Sequence, residues 1–177
     1  MTETMTEAVA VAETAVRETL RTPFGVLTVV EVGDTVLGSC FGDPAVLAQR
    51  LAGLAIEAGP ISPTISAAVA AYLAGDVGAL DAVAVRQPGG LFRQEAWRVM
   101  RSIPPGQTWS YARLAAEAGQ PLAARAAGSA CARNLVAPFV PCHRVVRSDG
   151  SLGGYAYGLD IKRALLAHES GLRWQER

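Results

Sequence analysis

The residues best equipped for chemistry sit where an apolar run starting at Asn134 ends in Pro141-Cys142-His143-Arg144. A thiol attacks as its thiolate, and a nearby cation lowers its pKa. Cys142, followed directly by His143 and Arg144, therefore has the make-up of a nucleophile beside a base and a cation. A carboxylate behind the histidine would orient it and stabilise its charged form. Glu169 is the best placed, because Asp149 and Asp160 fall in or beside loops. The predicted order is cysteine, water, histidine, glutamate. The water enters because neighbours on an extended strand point to opposite sides. The competing reading is a buried structural cysteine next to two surface cations.

The rest of the composition limits the chemistry. Cys40, Cys131 and Cys142 are odd in number and widely spaced, which suits reduced thiols in a cytoplasm better than a disulfide framework. With only His143 and His168 and no Cys-x-x-Cys pair, neither a zinc site nor another metal or cofactor is expected. Half of the residues are apolar, enough for a core. No apolar run approaches the roughly 20 residues of a membrane helix, and Glu3 and Glu7 without a basic flank argue against a secretory signal.

Zero net charge conceals an asymmetry. Residues 1–90 carry a net −6, residues 91–147 a net +6, and the remainder is balanced. A basic middle section is the footprint expected for phosphate contacts; the alternative is a solvated helical surface.

These residues need elements to position them. Residues 1–10 read as a frayed terminus, and 1–15 as flexible. From Val16 onward β-type segments alternate with turns, with Val26–Val32 and Thr35–Phe41 as a hairpin around Gly33-Asp34. Cys40 falls inside the second strand as a small core residue. Asp43-Pro44 predicts a helix to about Glu57, and a second helix covers 65–73. A strand and linker follow, and Pro88-Gly89-Gly90 marks a boundary between domains 1–90 and 91–177.

The second domain opens with a helix over 92–103, on whose apolar face Trp97 packs. Helices over 111–118 (capped by Ser110) and 122–133, joined by Gly119-Gln120-Pro121, form a helix-turn-helix. The second of these carries almost only small side chains around Arg125. Major-groove reading wants long polar side chains, so Arg125 among alanines suits a narrow-groove contact. The run 134–141 reads as a buried strand. The glycine-rich loop 148–158 offers Tyr155 and Tyr157 as pocket walls. A last helix, 159–169, places Lys162 and Arg163 on an exposed face, and a tail follows from Gly171. The combination suggests a nucleic-acid-binding protein that uses a thiol on a base flipped out of the duplex, with Arg125 filling the gap.

Pro141-Cys-His-Arg-Val145 resembles the active-site signature of the O6-alkylguanine-DNA alkyltransferases. Ile103-Pro-Pro-Gly-Gln-Thr-Trp-Ser-Tyr111, Ala123-Ala-Arg-Ala126, Asn134, Gly154-Tyr155 and Leu165-Leu-Ala-His-Glu169 resemble further blocks of that family in the same order. Thr22-Pro-Phe-Gly-Val-Leu-Thr28 is similar, more loosely, to its first strand.

The resemblance implies a mixed α/β (α+β) fold, with a small antiparallel ribonuclease-H-like sheet and helices first, and a winged helix-turn-helix domain second. It implies that Cys142 takes the alkyl group from O6 of guanine in double-stranded DNA, once per molecule, with O4-alkylthymine as a further substrate. His143 and Glu169 would activate the thiol, Tyr111 would hydrogen-bond the flipped base, and Asn134 would brace the turn before the cysteine. The minor-groove surface would comprise Arg125 with Ala123, Ala124, Ala126, Gly128 and Arg133. The base pocket would comprise Arg144, Val145, Tyr155, Ala156 and Tyr157. A monomer that binds DNA cooperatively, without a cofactor, completes the expectation.

Three positions depart from the family pattern: Leu135 replaces a usual proline, Ala156 a frequent serine, and Tyr157 a common glycine. Tyr157 is expected to narrow the pocket against large alkyl groups. The alternatives are a lesion sensor without transfer (though such proteins lack the cysteine), a winged-helix regulator with an incidental cysteine, and a thiol hydrolase.

Overall fold

The computed structural model describes residues 14–171. The readings for residues 1–13 and 172–177 lie outside them.

Three strands dominate the first half, β1 (Ala15–Thr22), β2 (Gly25–Val32) and β3 (Thr35–Phe41). All but the first two residues of β2 are buried, as its near-continuous apolar run requires of a central strand. Gly33 and Asp34 both have positive φ, 52° and 64°. That is the conformation a two-residue hairpin turn demands, and it explains the Gly-Asp pair.

The sheet is mixed rather than antiparallel throughout. Its order is β4-β1-β2-β3-β5, with β4 (Ile56–Ala58) parallel to β1 and β5 (Ala84–Val85) parallel to β3. The expected helix to Glu57 is only α1 (Ala45–Arg50). The chain turns at Gly53, φ 94°, and residues 56–58 gain more by pairing with the edge of β1 than by extending an exposed helix. Asp43 still accepts the Ala45 N–H at 2.9 Å.

Helix α2 (Pro63–Leu73) starts where Ser62 accepts the Ile65 N–H and Pro63 takes the first helical position. It buries Ile65, Val69 and Tyr72 against the sheet. Helix α3 (Leu91–Met100) ends before Ile103 and buries Trp97, whose indole N–H donates to the Ala130 carbonyl at 2.9 Å. Helices α4 (Tyr111–Glu117) and α5 (Ala124–Ala132) follow, with Ser110 capping the first. Helix α6 (Leu159–Ser170) stops at Gly171 in the left-handed conformation. One apolar core runs from Val29 and Ile65 through Trp97 and Leu114 to Val145 and Leu165, across the boundary expected at Gly90.

The stretch 134–141 is not a strand. Val136 makes an isolated bridge with Ser39, and Cys142–Arg144 form a 3-10 turn before the short strand β7 (Val145–Val146), which pairs with β6 (Trp109–Ser110). Pro138 and Pro141 lack the donors a ladder needs. The run is instead buried on all sides, with backbone groups tied individually. The Ser39 N–H donates to Leu135 O and its hydroxyl to Ala137 O, each at 2.7 Å.

Candidate active site

Cys142 lies at the base of a cleft of about 290 Å³ lined by Tyr111, Gly128, Cys131, Ala132, Gly154, Tyr155 and Ala156. The 3-10 turn sends His143 and Arg144 away from the cleft into the protein, where both are buried. The small side chains of α5 have a spatial role here, since Gly128 and Ala132 form one wall.

The Asn134 side-chain amide donates to Cys142 Sγ at 3.2 Å and to the Val140 carbonyl at 2.7 Å. Its Oδ1 accepts from the Val136 N–H and from Gln87 Nε2, both at 3.1 Å. All four bonding positions of the amide are thereby used, which fixes which end faces the sulfur. Burial pushes the Cys142 thiol up, while the Asn134 hydrogen bond and the Lys162 ammonium act in the opposite direction.

His143 Nε2 lies 2.7 Å from Glu169 Oε1. Glu169 also receives two bonds from the Arg144 guanidinium, at 2.9 and 3.0 Å, and one from the Tyr72 hydroxyl at 3.0 Å. Burial disfavours the carboxylate, but the bonds from His143 and Arg144 outweigh it and hold the carboxyl far below its usual range. An ionised Glu169 requires Nε2–H on the histidine. Burial lowers the His143 pKa and favours the neutral ring. Nδ1 is then a lone-pair acceptor, and this buried nitrogen has no protein partner among the described residues. The result is an unused base one residue from the thiol, oriented by a carboxylate.

Tyr111 is half-buried, and burial, followed by the neighbouring thiols Cys131 and Cys142, raises its pKa to about 12, so it stays a hydroxyl donor. Gly153, φ +69°, lets it in: a Cβ there would stand 2.9 Å from the Tyr111 hydroxyl. Lys162 is fully buried rather than exposed. Its ammonium donates to Leu152 O and to Val145 O at 2.7 Å, tying the glycine-rich loop to β7. The helical face on which it lies is covered by that loop, whose carbonyls need a donor.

Three expected pocket residues are elsewhere. Arg144 is committed to Glu169 and to the Ile103 carbonyl at 2.6 Å. Val145 is buried, with its carbonyl on Lys162. Tyr157 packs edge-on against Phe41 and Tyr155, 5.9 and 5.3 Å between ring centres, and lines a neighbouring cleft of about 270 Å³. Its hydroxyl is turned toward the Ser39 carbonyl of β3, and the cleft around Cys142 is lined by Tyr155 in front of it. Arg125 and Arg133 are exposed on α5 and just beyond it, while Ala123, Ala124 and Ala126 are half-buried.

Sequence reasoning missed Tyr72, Gln87 and Lys162. Tyr72 carries no local signal, since it reads as one more apolar position of α2. Replacing it by phenylalanine removes a hydrogen bond to a buried charge. The expected loss is about 1.5–3 kcal/mol of stability, read from urea unfolding.

Residues 91–171 match the family model described as 6-O-methylguanine DNA methyltransferase, DNA binding domain. A methylated-DNA–protein-cysteine methyltransferase of Salmonella typhimurium is 43% identical over 108 residues, 61% of this chain and 63% of that protein. One of Mycolicibacterium paratuberculosis is 44% identical over 99 residues, 56% of this chain and 59% of that protein. The matches thus span less than two thirds of those relatives' length. The solved structure of Mycobacterium tuberculosis OGT in complex with DNA superposes with a TM-score of 0.74 at 32% identity, covering 89% of this chain and 95% of that one. With its mixed α+β architecture, small sheet and helices shared across nearly the whole of that structure, the chain belongs to the O6-methylguanine-DNA methyltransferase family.

Proposed function

We propose that this protein repairs DNA by moving the alkyl group of O6-alkylguanine onto Cys142, irreversibly and once per molecule. The observation that carries the reading is the buried chain from Glu169 through His143 to a free Nδ1, beside a thiol at the base of a cleft. In this reading α4 and α5 are the two helices of a winged helix-turn-helix, and the first half is ribonuclease-H-like, with the division at Gly90. A monomer binds duplex DNA, with cooperative binding along it, through the minor groove.

Arg125, Arg133 and the small residues Ala123, Ala124, Ala126 and Gly128 face the duplex. Arg125 replaces the extruded base in the stack, and the lesion enters the cleft between Tyr155 and Gly128. Tyr155, Ala156 and Gly154 bound the base, and Tyr111 donates to its ring edge.

The thiol proton passes through a water to His143 Nδ1, and Glu169 stabilises the imidazolium. The thiolate, held by the Asn134 amide, attacks the alkyl carbon. The S–C bond forms as the C–O6 bond breaks, and the bonding pair remains on guanine, which takes up the proton. The products are S-alkylcysteine and guanine. Reversal would have to expel a thiolate from the alkyl carbon of a stable thioether, and no described group drives that step, so turnover ends there. O4-alkylthymine offers the same carbon–oxygen bond and belongs to the proposed substrate range.

Incubation with a duplex carrying O6-methylguanine, followed by mass measurement, tests the reading. A gain of one CH2 on the Cys142 peptide is expected, with none in Cys142→Ser. An unchanged mass in folded, DNA-bound protein would favour a lesion sensor instead.

A further inference from the structure

Leu135 follows Asn134, at a position where the resembled family usually has proline. The exchange restores a backbone N–H in a buried turn, where an unpaired donor is costly. That N–H donates to Gln87 Oε1 at 2.7 Å. The other end of the same side chain, Nε2, donates to Asn134 Oδ1 at 3.1 Å. Gln87 is itself buried, 6% exposed, and its backbone carbonyl takes the Gln94 side-chain amide at 2.7 Å. The glutamine thus arrives from the segment between β5 and α3, far from the cysteine in sequence, with both ends of its amide used.

We propose that Gln87 is a positioning residue for alkyl transfer, acting through Asn134 to keep that amide's N–H on Cys142 Sγ. The proposal rests on Cys142 as the acceptor. Asn134 can be turned about its terminal bond, which would present Oδ1 instead of Nδ2 to the sulfur. An oxygen there would repel the thiolate, whereas the N–H stabilises it. Two donors hold Oδ1 in place, Val136 N–H and Gln87 Nε2, and only the second belongs to a side chain remote from the turn. The same glutamine also satisfies the extra donor that Leu135 introduces, so the exchange of proline for leucine and the presence of Gln87 form one coupled device. A turn with proline at 135 would not need the Oε1 acceptor.

The test uses Gln87→Met, which keeps the volume and loses both bonds. Cys142 reactivity is measured as the rate of carboxamidomethylation by iodoacetamide across pH, resolved at the Cys142 peptide by mass. This reads the thiol without DNA, and alkyl transfer from an O6-methylguanine duplex is followed in parallel. A shift of the Cys142 profile to higher pH by about one unit is expected, equivalent to tenfold slower labelling near neutrality, with transfer slowed alike and Cys40 labelling unmoved. Leu135→Pro is expected to lower the melting temperature in the parent, where it strands Gln87 Oε1, and to raise it in Gln87→Met, where it removes the orphaned donor. Should Gln87→Met not fold, Gln87→Met/Leu135→Pro supplies the pH profile. A Cys142 profile identical to the parent's in the folded variant overturns the positioning role. If the parent itself transfers no alkyl group, the repair reading falls, while the iodoacetamide profiles still decide the role of Gln87.

Discussion

Glu169→Ala is expected to cost about 3–5 kcal/mol of stability, the penalty for leaving a buried charge without its partner. The size follows from what the carboxylate holds. It accepts both bonds of the Arg144 guanidinium, the His143 Nε2–H and the Tyr72 hydroxyl, and all three side chains are buried. Removing it strands a cation that has one remaining hydrogen bond, to Ile103 O. Alkyl transfer should fall with it, because His143 loses its orienting partner and the counter-charge to the imidazolium. Glu169→Gln keeps the volume and one accepting oxygen but sets an NH2 against a donor of Arg144 or His143; it should be milder in stability than alanine while still impairing transfer.

The same network sets the acid behaviour. Glu169 has a folded pKa below its ordinary value of 4.5. Its contribution is therefore complete above the ordinary carboxylate range and is lost as pH falls from there toward the depressed folded value. His143 is buried as the neutral ring with a pKa below 6.5. The unfolded chain takes up that proton first, so stability already declines below about pH 6.5. Unfolding followed against pH should show both losses in the parent, and Glu169→Gln should lack the lower one.

Arg125→Ala is the second large effect. Extruding a base costs a few kcal/mol of stacking and pairing, and a side chain that fills the gap offsets part of it. Losing about 2–3 kcal/mol should slow transfer from a duplex roughly 30–160-fold. The reaction with free O6-benzylguanine, which has no duplex to open, should be unchanged. Because Arg125 is exposed on α5, stability should not move. Equal slowing on both substrates would show that Arg125 acts on the chemistry and not on the duplex.

What the sequence disclosed depended on how local each signal is. Ser110 before Tyr111, Ser62-Pro63 before Ile65 and the Gly33-Asp34 turn are short-range devices, and the elements they predict are present. The His143–Glu169 pair is legible because the histidine adjoins the cysteine and the last helix ends on a carboxylate. Burial misled at the same range. The apolar run before Cys142 reads as a strand, yet Pro138 and Pro141 deny it a ladder, and its polar groups are met singly by Asn134 and Ser39.

Charge in a helix usually marks solvent, so Lys162 reads as exposed, and only the folded loop shows the carbonyls that hold it. The family resemblance implies Arg144 as a pocket residue; the 3-10 turn leads it instead to Glu169 and the Ile103 carbonyl. Tyr72 and Gln87 reach the site from the first half of the chain, at separations of 97 residues from Glu169 and 47 from Asn134. No spacing rule reaches that far, although an unexpected N–H at Leu135 already asked for an acceptor.

Whether Cys142 is the alkyl acceptor is decided by intact and peptide mass measurement after incubation with an O6-methylguanine duplex. One methyl group per protein molecule on Cys142 is expected, with restoration of guanine in stoichiometric amount and no further reaction on a second addition of substrate. Repeated turnover, a methyl group on Cys131 in place of Cys142, or unmodified protein that retains its lesion-bearing DNA would contradict that role of Cys142.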